Sequence, residues 1–449
     1  MRLTILGAGE TGAGTAILAR KKGYDVFVSD AGPIADKYKQ MLQDHAIAWE
    51  EGGHTPELVL RADSMVKSPG IPPDAPMPAQ AAQRGIPILS EIEFASRYTD
   101  AKMVCITGSN GKTTTTKLIH HILTRAGYDA ALAGNVGRSM ALQVAEGKHD
   151  WYVLELSSFQ LENMYNFRAD IAVVLNITPD HLDRYGYRIE PYAEAKMRIG
   201  RNQREQDSLI YWRDDEHVPA LLRKSPTPAQ ELVFADTRGG RAVAYVKDGV
   251  MTVERPSTFF MPVADLSLRG RHNVRNCMAA TLAALAARVP REAIKSALAD
   301  FPHVPHRLEP AGEADGITYI NDSKATNVDA CFYALDAMTT PVILILGGLD
   351  KGNDYSQIIP LVKEKCRALV YLGADNSKLH DTFDSLGLPV SDTGSMAECL
   401  EACRKVARKG DTVLLSPCCA SFDLFNGMAE RGNLFKQGVS ELANQKPAE

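Results

Sequence analysis

The sequence predicts an α/β protein of three domains, each built around a mostly parallel sheet. Its 449 residues exceed the usual size of one domain and suggest about three. Short apolar runs alternate with segments of helical spacing, which is typical of strands that helices cover on both faces. Several of these runs end in glycine or polar residues, as strands do where doubly wound sheets bind ligands. The predicted domains are residues 1–98, 99–304 and 305–449.

Composition excludes several classes of protein. The chain is 45% hydrophobic and 23% charged, as expected for a soluble protein with sizeable cores. Its net charge of -5, with acids and bases interspersed, predicts no nucleic-acid partner. The longest apolar stretch, residues 277–287, is too short to span a membrane. Eight cysteines without Cys-x-x-Cys spacing, and no visible leader segment, predict a cytoplasmic protein.

The N-terminal segment predicts a strand, a glycine turn, a helix and a second strand. These elements are predicted at residues 3–6, 7–12, 13–22 and 25–30. Three glycines in the turn match the dinucleotide fingerprint, and Asp30 stands where a ribose-binding acid belongs. The pattern alone indicates NAD. Glycines at this place also let other phosphorylated ligands approach a helix N-terminus, so both interpretations stay open.

The rest of the first domain predicts two more strands, at residues 62–67 and 86–89. Ser90 follows the second strand and has Glu93 three residues later, which is the spacing of a capping box. The alternation of predicted strands and helices starts anew after residues 97–102, and we expect the first domain boundary there.

A phosphate-binding loop is the most specific motif in the chain. A predicted strand at residues 103–107 leads into Gly-Ser-Asn-Gly-Lys-Thr-Thr at 108–114, and a helix is predicted at 115–126. Backbone N–H groups of such a loop face polyphosphate, Lys112 would neutralise it, and the Thr113 hydroxyl would ligate Mg²⁺. The spacer between the glycines is shorter than the usual four residues. The alternative is an ordinary turn with an exposed lysine; we favour a P-loop ATPase domain between two Rossmann-like domains.

Acidic and imidazole side chains follow the next predicted strands, at residues 151–156 and 171–175. Glu155 lies near the end of the first, and Asp180, His181 and Asp183 follow the second. Such groups at neighbouring strand ends can ligate Mg²⁺ beside a triphosphate. The alternatives are a capping or salt-bridged Glu155 and an ordinary loop histidine. Lys196 lies on a helix predicted at 192–199, and the sequence alone predicts that it is a solvated surface lysine.

The last third is again α/β. Asn273 and Asn276 open an alanine-rich helix and could face one ligand, although capping is as reasonable. A proline-punctuated hinge ends in His306 and Arg307, which we expect to be exposed. Polar or glycine residues follow each of four further predicted strands, at residues 317–320, 341–346, 368–372 and 412–415. Their coincidence predicts a third doubly wound unit with a cleft at its strand ends.

Together these motifs resemble the Mur ligase family over the whole length of the chain. The shared segments are residues 108–114, 134–137, 155–161, 180–183, 195–196, 272–273, 305–307, 321–327 and 416–423. Most belong to the wider superfamily, which includes folylpolyglutamate synthases. Residues 321–327 and 416–423 resemble only the members that add D-glutamate.

The resemblance implies an activity, in which ATP phosphorylates the carboxylate of UDP-N-acetylmuramoyl-L-alanine. The D-glutamate amine then attacks the acyl phosphate, and phosphate leaves. This chemistry implies a cytoplasmic role in peptidoglycan precursor synthesis, with ATP and two Mg²⁺ sites, where Mn²⁺ is an alternative metal. Only small molecules are expected as partners, and a monomer is expected.

The resemblance also implies roles for individual residues. Catalytic groups would be Lys112, Glu155, His181 and Lys196, and metal ligands Thr113, Glu155, His181 and Lys196, with the lysine carbamylated. ATP would contact Gly108, Ser109, Asn110, Gly111, Lys112, Thr113, Thr114, Asn273, Asn276, Arg307 and Asp322. The UDP substrate would contact Gly9, Glu10, Thr11, Gly12, Asp30, Ser68, Asn135 and His181. The amino acid would contact Lys324, Thr326, Lys351, Ser421 and Phe422.

Three other functions stay open at this stage. Another Mur ligase or a folylpolyglutamate synthase shares the ATP machinery and differs in its acceptor. A Rossmann oxidoreductase would explain the first glycine turn, and a phosphate-loop switch would explain the second. Family members also often carry polar or basic residues after the acid of the second strand to contact uracil. Here Ala31 and Gly32 follow Asp30, which leaves the uracil contacts unassigned.

Overall fold

The computed structural model describes residues 1–302 and 304–444. They form two compact units, one of Met1–Leu266 with Arg275–Asp300 and the other of Ser267–Val274 with the chain from Phe301 onward. The first unit contains two sheets and the second contains one. The predicted α/β architecture of three domains with mostly parallel sheets is confirmed.

The first sheet is wholly parallel, with strand order β3-β2-β1-β4-β5. Its strands are β1 Arg2–Leu6, β2 Asp25–Ser29, β3 Ala48–Glu50, β4 Ser64–Lys67 and β5 Ile88–Leu89. The helices beside it are α1 Glu10–Lys21, α2 Asp36–Asp44, α3 Pro56–Val59, α4 Pro76–Gln83 and α5 Glu91–Ala95. Ligand-binding residues are expected beyond the ends of β1 and β4, because the strand order reverses between them.

The central sheet has the order β14-β13-β12-β11-β10-β9-β6-β8-β7, and only the β12–β13 and β13–β14 pairs are antiparallel. Its strands are β6 Lys102–Thr107, β7 Ala130–Gly134, β8 Trp151–Glu155, β9 Ile171–Val174, β10 Ser208–Trp212, β11 Gln230–Phe234, β12 Ala242–Lys247, β13 Val250–Val253 and β14 Phe259–Pro262. Its helices are α6 Lys112–Arg125, α7 Met140–Glu146, α8 Ser158–Leu161, α9 Ile189–Met197, α10 Val218–Lys224, α11 Arg271–Ala286 and α12 Arg291–Asp300. Strand β6 lies between β8 and β9, so the loop after β6 is flanked by two other strand ends.

The third sheet has the order β15-β16-β20-β17-β18-β19, and only the β15–β16 pair is antiparallel. Its strands are β15 Glu309–Ala314, β16 Ile317–Asn321, β17 Val342–Gly347, β18 Cys366–Leu372, β19 Val390–Thr393 and β20 Thr412–Cys418. Its helices are α13 Val328–Asp336, α14 Ile359–Lys365, α15 Ser377–Phe383, α16 Met396–Val406 and α17 Met428–Asn444. No helix in the described residues is long and apolar enough to cross a membrane.

The first two sheets share one hydrophobic core inside the first unit. Buried side chains of β1, α1, β7 and α7 belong to the same cluster. Helix α1 packs directly on α7 because Gly14 has no side chain: a Cβ there would collide with the Ser139 hydroxyl. The helix that follows the first glycine turn is therefore held between two sheets.

Several predicted boundaries differ from the structure. Helices α1 and α6 begin at Glu10 and Lys112, about one turn earlier than predicted, because the ends of both glycine turns are already helical. Strand β20 continues to Cys418, so residues 416–418, predicted to follow the strand, lie within it. Ser90 caps α5 as predicted, but the Glu93 side chain accepts from the backbone N–H groups of residues 165–167.

Candidate active site

The loop between β6 and α6 is shaped by two glycines with positive φ. Gly108 has φ +148° and Gly111 has φ +83°, both in the region that favours glycine. A Cβ on Gly111 would also collide with the Asn276 side chain on α11. Asn276 therefore lies against the loop.

The segment after β9 holds this loop in place. The Ser109 hydroxyl donates to the Thr178 carbonyl at 2.8 Å and accepts from the Thr178 N–H at 2.9 Å. The Asn110 N–H donates to Asn176 Oδ1 at 2.8 Å. These bonds fix the loop before any ligand binds, which reduces the entropy lost on binding.

Two lysines converge on one carbonyl of the loop. Lys112 Nζ and Lys196 Nζ donate to the Gly108 carbonyl at 2.9 and 2.8 Å. Lys196 is 2% exposed and lies over the ring of Tyr192, so its interpretation as a surface lysine was wrong. Burial, together with the positive charge of Lys112, lowers the pKa of Lys196 well below its usual value. The result is an amine that loses its proton easily.

Glu155 ends β8 beside the loop, in register with Ile106 of β6. Its side chain is buried, and its Oε1 accepts from Asn135 Nδ2 at 2.9 Å. The alternative of a helix-capping acid is excluded, because Ser157 caps the next helix. Thr113, 3% exposed, opens α6 from the same loop. The structure thus brings together four residues predicted at the nucleotide and metal sites, namely Lys112, Thr113, Glu155 and Lys196.

His181 lies on the longer segment between β9 and α9. It has φ +51°, and its ring meets the ring of Phe159 edge-on. Its Nε2 is 3.8 Å from Asp180 Oδ1. Arg184, three residues on, donates to the Pro69 carbonyl at 2.9 Å and to Glu162 at 2.8 Å, and its guanidinium stacks 4.0 Å from the centre of the Phe159 ring. The histidine loop is thereby bonded to the turn after β4 of the first sheet.

The donor set fits a magnesium ion. The described residues contain no cluster of three or more His, Cys, Asp or Glu side chains that could hold a metal. A hydroxyl and a buried carboxylate are nevertheless hard oxygen donors, and the negative charges of Asp180 and Glu155 both act on Lys196. These oxygen donors at a phosphate loop are of the kind that Mg²⁺ prefers.

The first glycine turn has a different set of neighbours. Gly9 is the N-cap of α1, and a Cβ on it would meet nothing within 4 Å. Gly12 packs on the Gly7 carbonyl, and Ser68 packs on Gly7. Gly12 and Ser68, which are both predicted to contact the UDP substrate, therefore lie at the turn. Asp30 supports the turn from β2: its carboxylate accepts from the Ala8 N–H at 2.7 Å and from the Gly32 N–H at 2.9 Å.

Two other residues predicted at the first turn make hydrogen bonds to the N-cap of α7 and within α1. Glu10 Oε1 accepts from the Ser139 N–H at 3.1 Å, and the Thr11 carbonyl accepts from Thr15 Oγ1 within α1. Their backbone N–H groups still lie in the first turn of the helix, which is where an anion binds.

In the second unit, polar groups gather beyond β16 and β20. Asp322 accepts from Ser416 Oγ at 2.9 Å and from the Leu308 N–H at 3.2 Å. Burial raises the pKa of Asp322 to about 7, although the nearby Arg307 charge opposes the shift. His306 is 8% exposed, with its Nδ1 3.0 Å from Asn321 Nδ2, so the prediction that it is exposed was wrong.

The residues predicted to bind the amino acid lie on three loops of the same unit. The Lys324 N–H donates to the His306 carbonyl, and Thr326 is exposed two residues later. Lys351 is exposed on the loop after β17. Ser421 is buried after β20, and the Phe422 side chain is 69% exposed. Asn273 in this unit donates to the Arg269 carbonyl at 2.8 Å.

Sequence reasoning missed three residues that hold the loops of the candidate site in place. Tyr192 is buried with its hydroxyl 3.0 Å from Ser109 Oγ. Arg184 joins the histidine loop to the first sheet, and Arg431 donates from α17 to Ser323 and to the Cys419 carbonyl. Arg431 is 1% exposed, and no motif in the sequence marks an arginine at this position of α17. The Asp-Arg-Tyr run at residues 183–185 was the available signal for Arg184.

The fold and the loop together define a phosphate-loop enzyme. The chain matches three family models, described as "MurD N-terminal domain" over residues 2–77, "Mur ligase middle domain" over 106–284 and "Mur ligase, glutamate ligase domain" over 306–419. The chain belongs to the Mur ligase family, and the predicted resemblance is confirmed.

Full-length relatives carry one name. A protein from Bacteroides fragilis, named UDP-N-acetylmuramoylalanine--D-glutamate ligase, is 57% identical over 98% of this chain and 100% of its own length. Proteins of the same name from Porphyromonas gingivalis and Salinibacter ruber are 54% and 41% identical, each over 98% of this chain and 98% of their own length.

Solved structures share the fold at low identity. A MurF from Acinetobacter baumannii has a TM-score of 0.64 at 16% identity, covering 99% of this chain and 93% of its own. The MurF ligase from Thermotoga maritima, solved in complex with ADP, has a TM-score of 0.60 at 17% identity, covering 93% and 95%.

Proposed function

We propose that this protein is an ATP-dependent ligase that joins D-glutamate to UDP-N-acetylmuramoyl-L-alanine, forming ADP and phosphate. The observation that carries the proposal is the convergence of Lys112 and Lys196 on the Gly108 carbonyl, beside Glu155 at the next strand end. Full-length relatives with this name support the choice of acceptor. A carboxylate is a poor electrophile, and phosphorylation gives it a good leaving group.

Lys112 and the loop N–H groups neutralise the charge on the transferred phosphoryl group. The substrate carboxylate attacks the γ-phosphorus, and ADP leaves. The D-glutamate amine then attacks the acyl carbon, loses a proton, and phosphate leaves. The chain's main task is to position these groups, since charge neutralisation and alignment supply most of the catalysis in phosphoryl transfer.

Mg²⁺, when bound, neutralises phosphate charge and aligns the oxygens in the reaction. We assign one Mg²⁺ to Thr113 and Glu155 and a second to His181 and Lys196, with Mn²⁺ as an alternative metal. We include Lys196 among the metal ligands because its amine is buried and its pKa is lowered. Such an amine reacts with carbon dioxide to form a carbamate, which is an anionic oxygen donor.

The remaining ligands are assigned as follows. ATP is bound by residues 108–114 together with Asn273, Asn276, Arg307 and Asp322, and the UDP substrate by Gly9, Glu10, Thr11, Gly12, Asp30, Ser68, Asn135 and His181. D-Glutamate is bound by Lys324, Thr326, Lys351, Ser421 and Phe422. A buried second carboxylate needs a cation, which Lys351 supplies.

We also propose a monomeric, cytoplasmic enzyme with domain boundaries near residues 98 and 304. Strand β5 ends at Leu89 and β6 begins at Lys102, while β14 ends at Pro262 and β15 begins at Glu309. Both boundaries fall in these intervals between sheets.

The proposal is tested by an acceptor screen, in which ADP release is measured with UDP-N-acetylmuramoyl-L-alanine and each amino acid in turn. We expect turnover with D-glutamate and little with D-alanine, L-lysine or meso-diaminopimelate. Lys351→Met should raise the KM for D-glutamate more than it changes kcat, while Lys363→Met, at an exposed lysine of α14, should change neither. Turnover with L-lysine equal to that with D-glutamate would make another Mur ligase the better assignment.

The carbamate is tested separately. Lys196→Ala should be nearly inactive and partly recovered by a short carboxylic acid, which replaces the missing oxygen donor. A fully active alanine variant would overturn this assignment.

A further inference from the structure

A polar cluster beyond β2 and β3 has no role in the site described above. It consists of Ser29, Glu50 and His54, which lie at and just after the ends of these two strands. The Ser29 hydroxyl is 2.6 Å from Glu50 Oε1 and 2.6 Å from His54 Nδ1. Ser29 is fully buried, and the His54 ring is half-buried.

The cluster fixes which nitrogen of His54 carries its proton. The Ser29 hydrogen bond and the Thr55 N–H lower the pKa of Glu50 against the effect of burial, which is the largest single influence and raises it. Glu50 is therefore an ionised acceptor, and Ser29 must donate its only hydrogen to it. Ser29 Oγ then accepts from His54 Nδ1–H. In a neutral ring, Nε2 is left as an acceptor.

Nε2 of His54 makes no hydrogen bond to any residue that the structure describes. The His54 residue is half-buried, and the neighbouring Gly52 and Gly53 face open space, because a Cβ on either would meet nothing within 4 Å. Their N–H groups donate to the carbonyls of Gly32 and Asp30, so this loop is tied to the end of β2. The acceptor thus belongs to a half-buried residue at the ligand edge of the first sheet.

The order of the strands indicates which part of a nucleotide reaches this place. A diphosphate at the N-terminus of α1 lies beyond β1, and the acid that ends β2 marks the ribose side. Asp30 is that acid, and β3 is the next strand outward. By this order, a base attached to such a ribose would lie over β2 and β3, on the side of His54, and the rest of the substrate would lie on the side of Ser68 after β4.

We propose that His54 recognises the uracil base of the UDP substrate by accepting the N3–H of uracil at Nε2. The inference rests on the proposed function, since it names the residue that reads the base in the first domain. It assigns base recognition to the loop after β3, where Ala31 and Gly32 after Asp30 offer no side-chain donor or acceptor.

The proton arrangement makes the contact selective. Uracil presents a donor at N3, whereas cytosine presents an acceptor there, which would face the lone pair of Nε2. A site that leaves an acceptor opposite an acceptor rejects that analogue, because both groups lose hydrogen bonds to water without replacement. Glu50 and Ser29 act as positioning residues, because they set the tautomer without touching the base.

The test uses calorimetric binding of UDP, CDP and 3-methyl-UDP to the full-length protein at mildly alkaline pH. One hydrogen bond corresponds to a loss of about 5- to 30-fold in affinity. We expect the parent to bind 3-methyl-UDP and CDP more weakly than UDP by this factor. His54→Ala should bind UDP as weakly as the parent binds 3-methyl-UDP, and methylation should then have no further effect. His45→Ala, in the same domain, should match the parent.

Two outcomes would overturn the inference, and they differ. If the parent binds UDP and 3-methyl-UDP equally, or if His54→Ala binds UDP like the parent, base recognition lies elsewhere while the proposed function stands. If the parent binds no UDP at all, the proposed use of the first domain fails as well. The comparison of UDP with 3-methyl-UDP uses the parent protein, so the test remains valid even if a variant folds poorly.

Discussion

Two glycine turns of this protein open a helix at the end of a central strand, and they differ in the charge at the start of that helix. The turn after β1 is followed by Glu10, and the turn after β6 by Lys112. Both direct backbone N–H groups at an anion. Only the second adds a cation whose side chain bonds to its own loop, at the Gly108 and Ser109 carbonyls.

This difference indicates which of the two turns is suited to a phosphoryl group that reacts. A diphosphate that is only held needs N–H groups and space, which the first turn offers around Gly9. A transferred phosphoryl group develops charge that must be neutralised as the reaction proceeds, and this requires the lysine. Under the proposed function, the first turn serves as an anchor and the second as a reaction centre, and their N-caps differ in conformation: Gly9 is extended and Gly111 is left-handed.

The largest effect is expected from a substitution that removes the lysine of the second turn. Lys112→Ala should lower kcat by about 10³-fold, because it removes a positive charge facing the transferred phosphoryl group. UDP affinity should not change. Steady-state ADP release and UDP calorimetry measure the two, with Lys117→Ala on the same helix as the control. ADP release within a few-fold of the parent would contradict the role assigned to this loop.

The second prediction concerns the acidic surroundings of α1. Burial, reinforced by Glu10, raises the pKa of Glu91 to about 7 despite hydrogen bonds from Ser139 and Ala141. The folded state holds a proton that the unfolded chain releases near its ordinary pKa of 4.5. Stability should therefore fall as pH rises from about 5 to about 7.5, by up to about 3 kcal/mol.

Urea unfolding across this range measures the effect. Glu91→Gln cannot ionise, so its free energy of unfolding should lack this fall. Glu57→Gln, at an exposed acid of α3, should follow the parent. A parent whose stability is constant over the same range would show that Glu91 is ionised in the folded state.

The third prediction tests the packing of the first helix. Gly14→Ala should destabilise the protein by about 1–3 kcal/mol, because the new methyl group collides with Ser139 on α7. Thermal unfolding should show a lower Tm. Gly147→Ala is the control, since that position has open space around it and φ -172°. An unchanged Tm for Gly14→Ala would mean that α1 and α7 can move apart at little cost.

The smallest expected effect is at Gly9. Its φ of -71° and its open surroundings allow alanine in the folded protein, so Tm should hold. The added methyl group occupies the place where the diphosphate meets the backbone, and UDP affinity should fall about tenfold. ATP binding, measured in the same preparation, should be unaffected. Loss of ATP binding in this variant would contradict the assignment of UDP to the first turn and ATP to the second.

Both turns could be predicted from the sequence because their signals are local. An apolar run, glycines at fixed spacing and a following helix lie within a few residues of one another, and each constrains the same short backbone. The positions of Glu155 and Asp30 at strand ends follow from the same local pattern.

Lys196 and Glu93 show where local reasoning stops. Lys196 lies on a helix with ordinary surface spacing, and its burial depends on a loop 88 residues away. Glu93 has the spacing of a capping box, but the segment at 165–167 offers its side chain three N–H groups. Long-range partners decide the role of a charged side chain, and the sequence does not reveal them.

The bond from Arg184 to the Pro69 carbonyl bears on how this protein can change in evolution. Arg184 contacts a main-chain atom, so it requires residue 69 to be at one position in space and makes no demand on its side chain. A substitution at residue 69 should therefore leave this bond in place, whereas an insertion or deletion in the turn would move the carbonyl away from the arginine. The bond therefore constrains the length of this turn and not the side chain at residue 69.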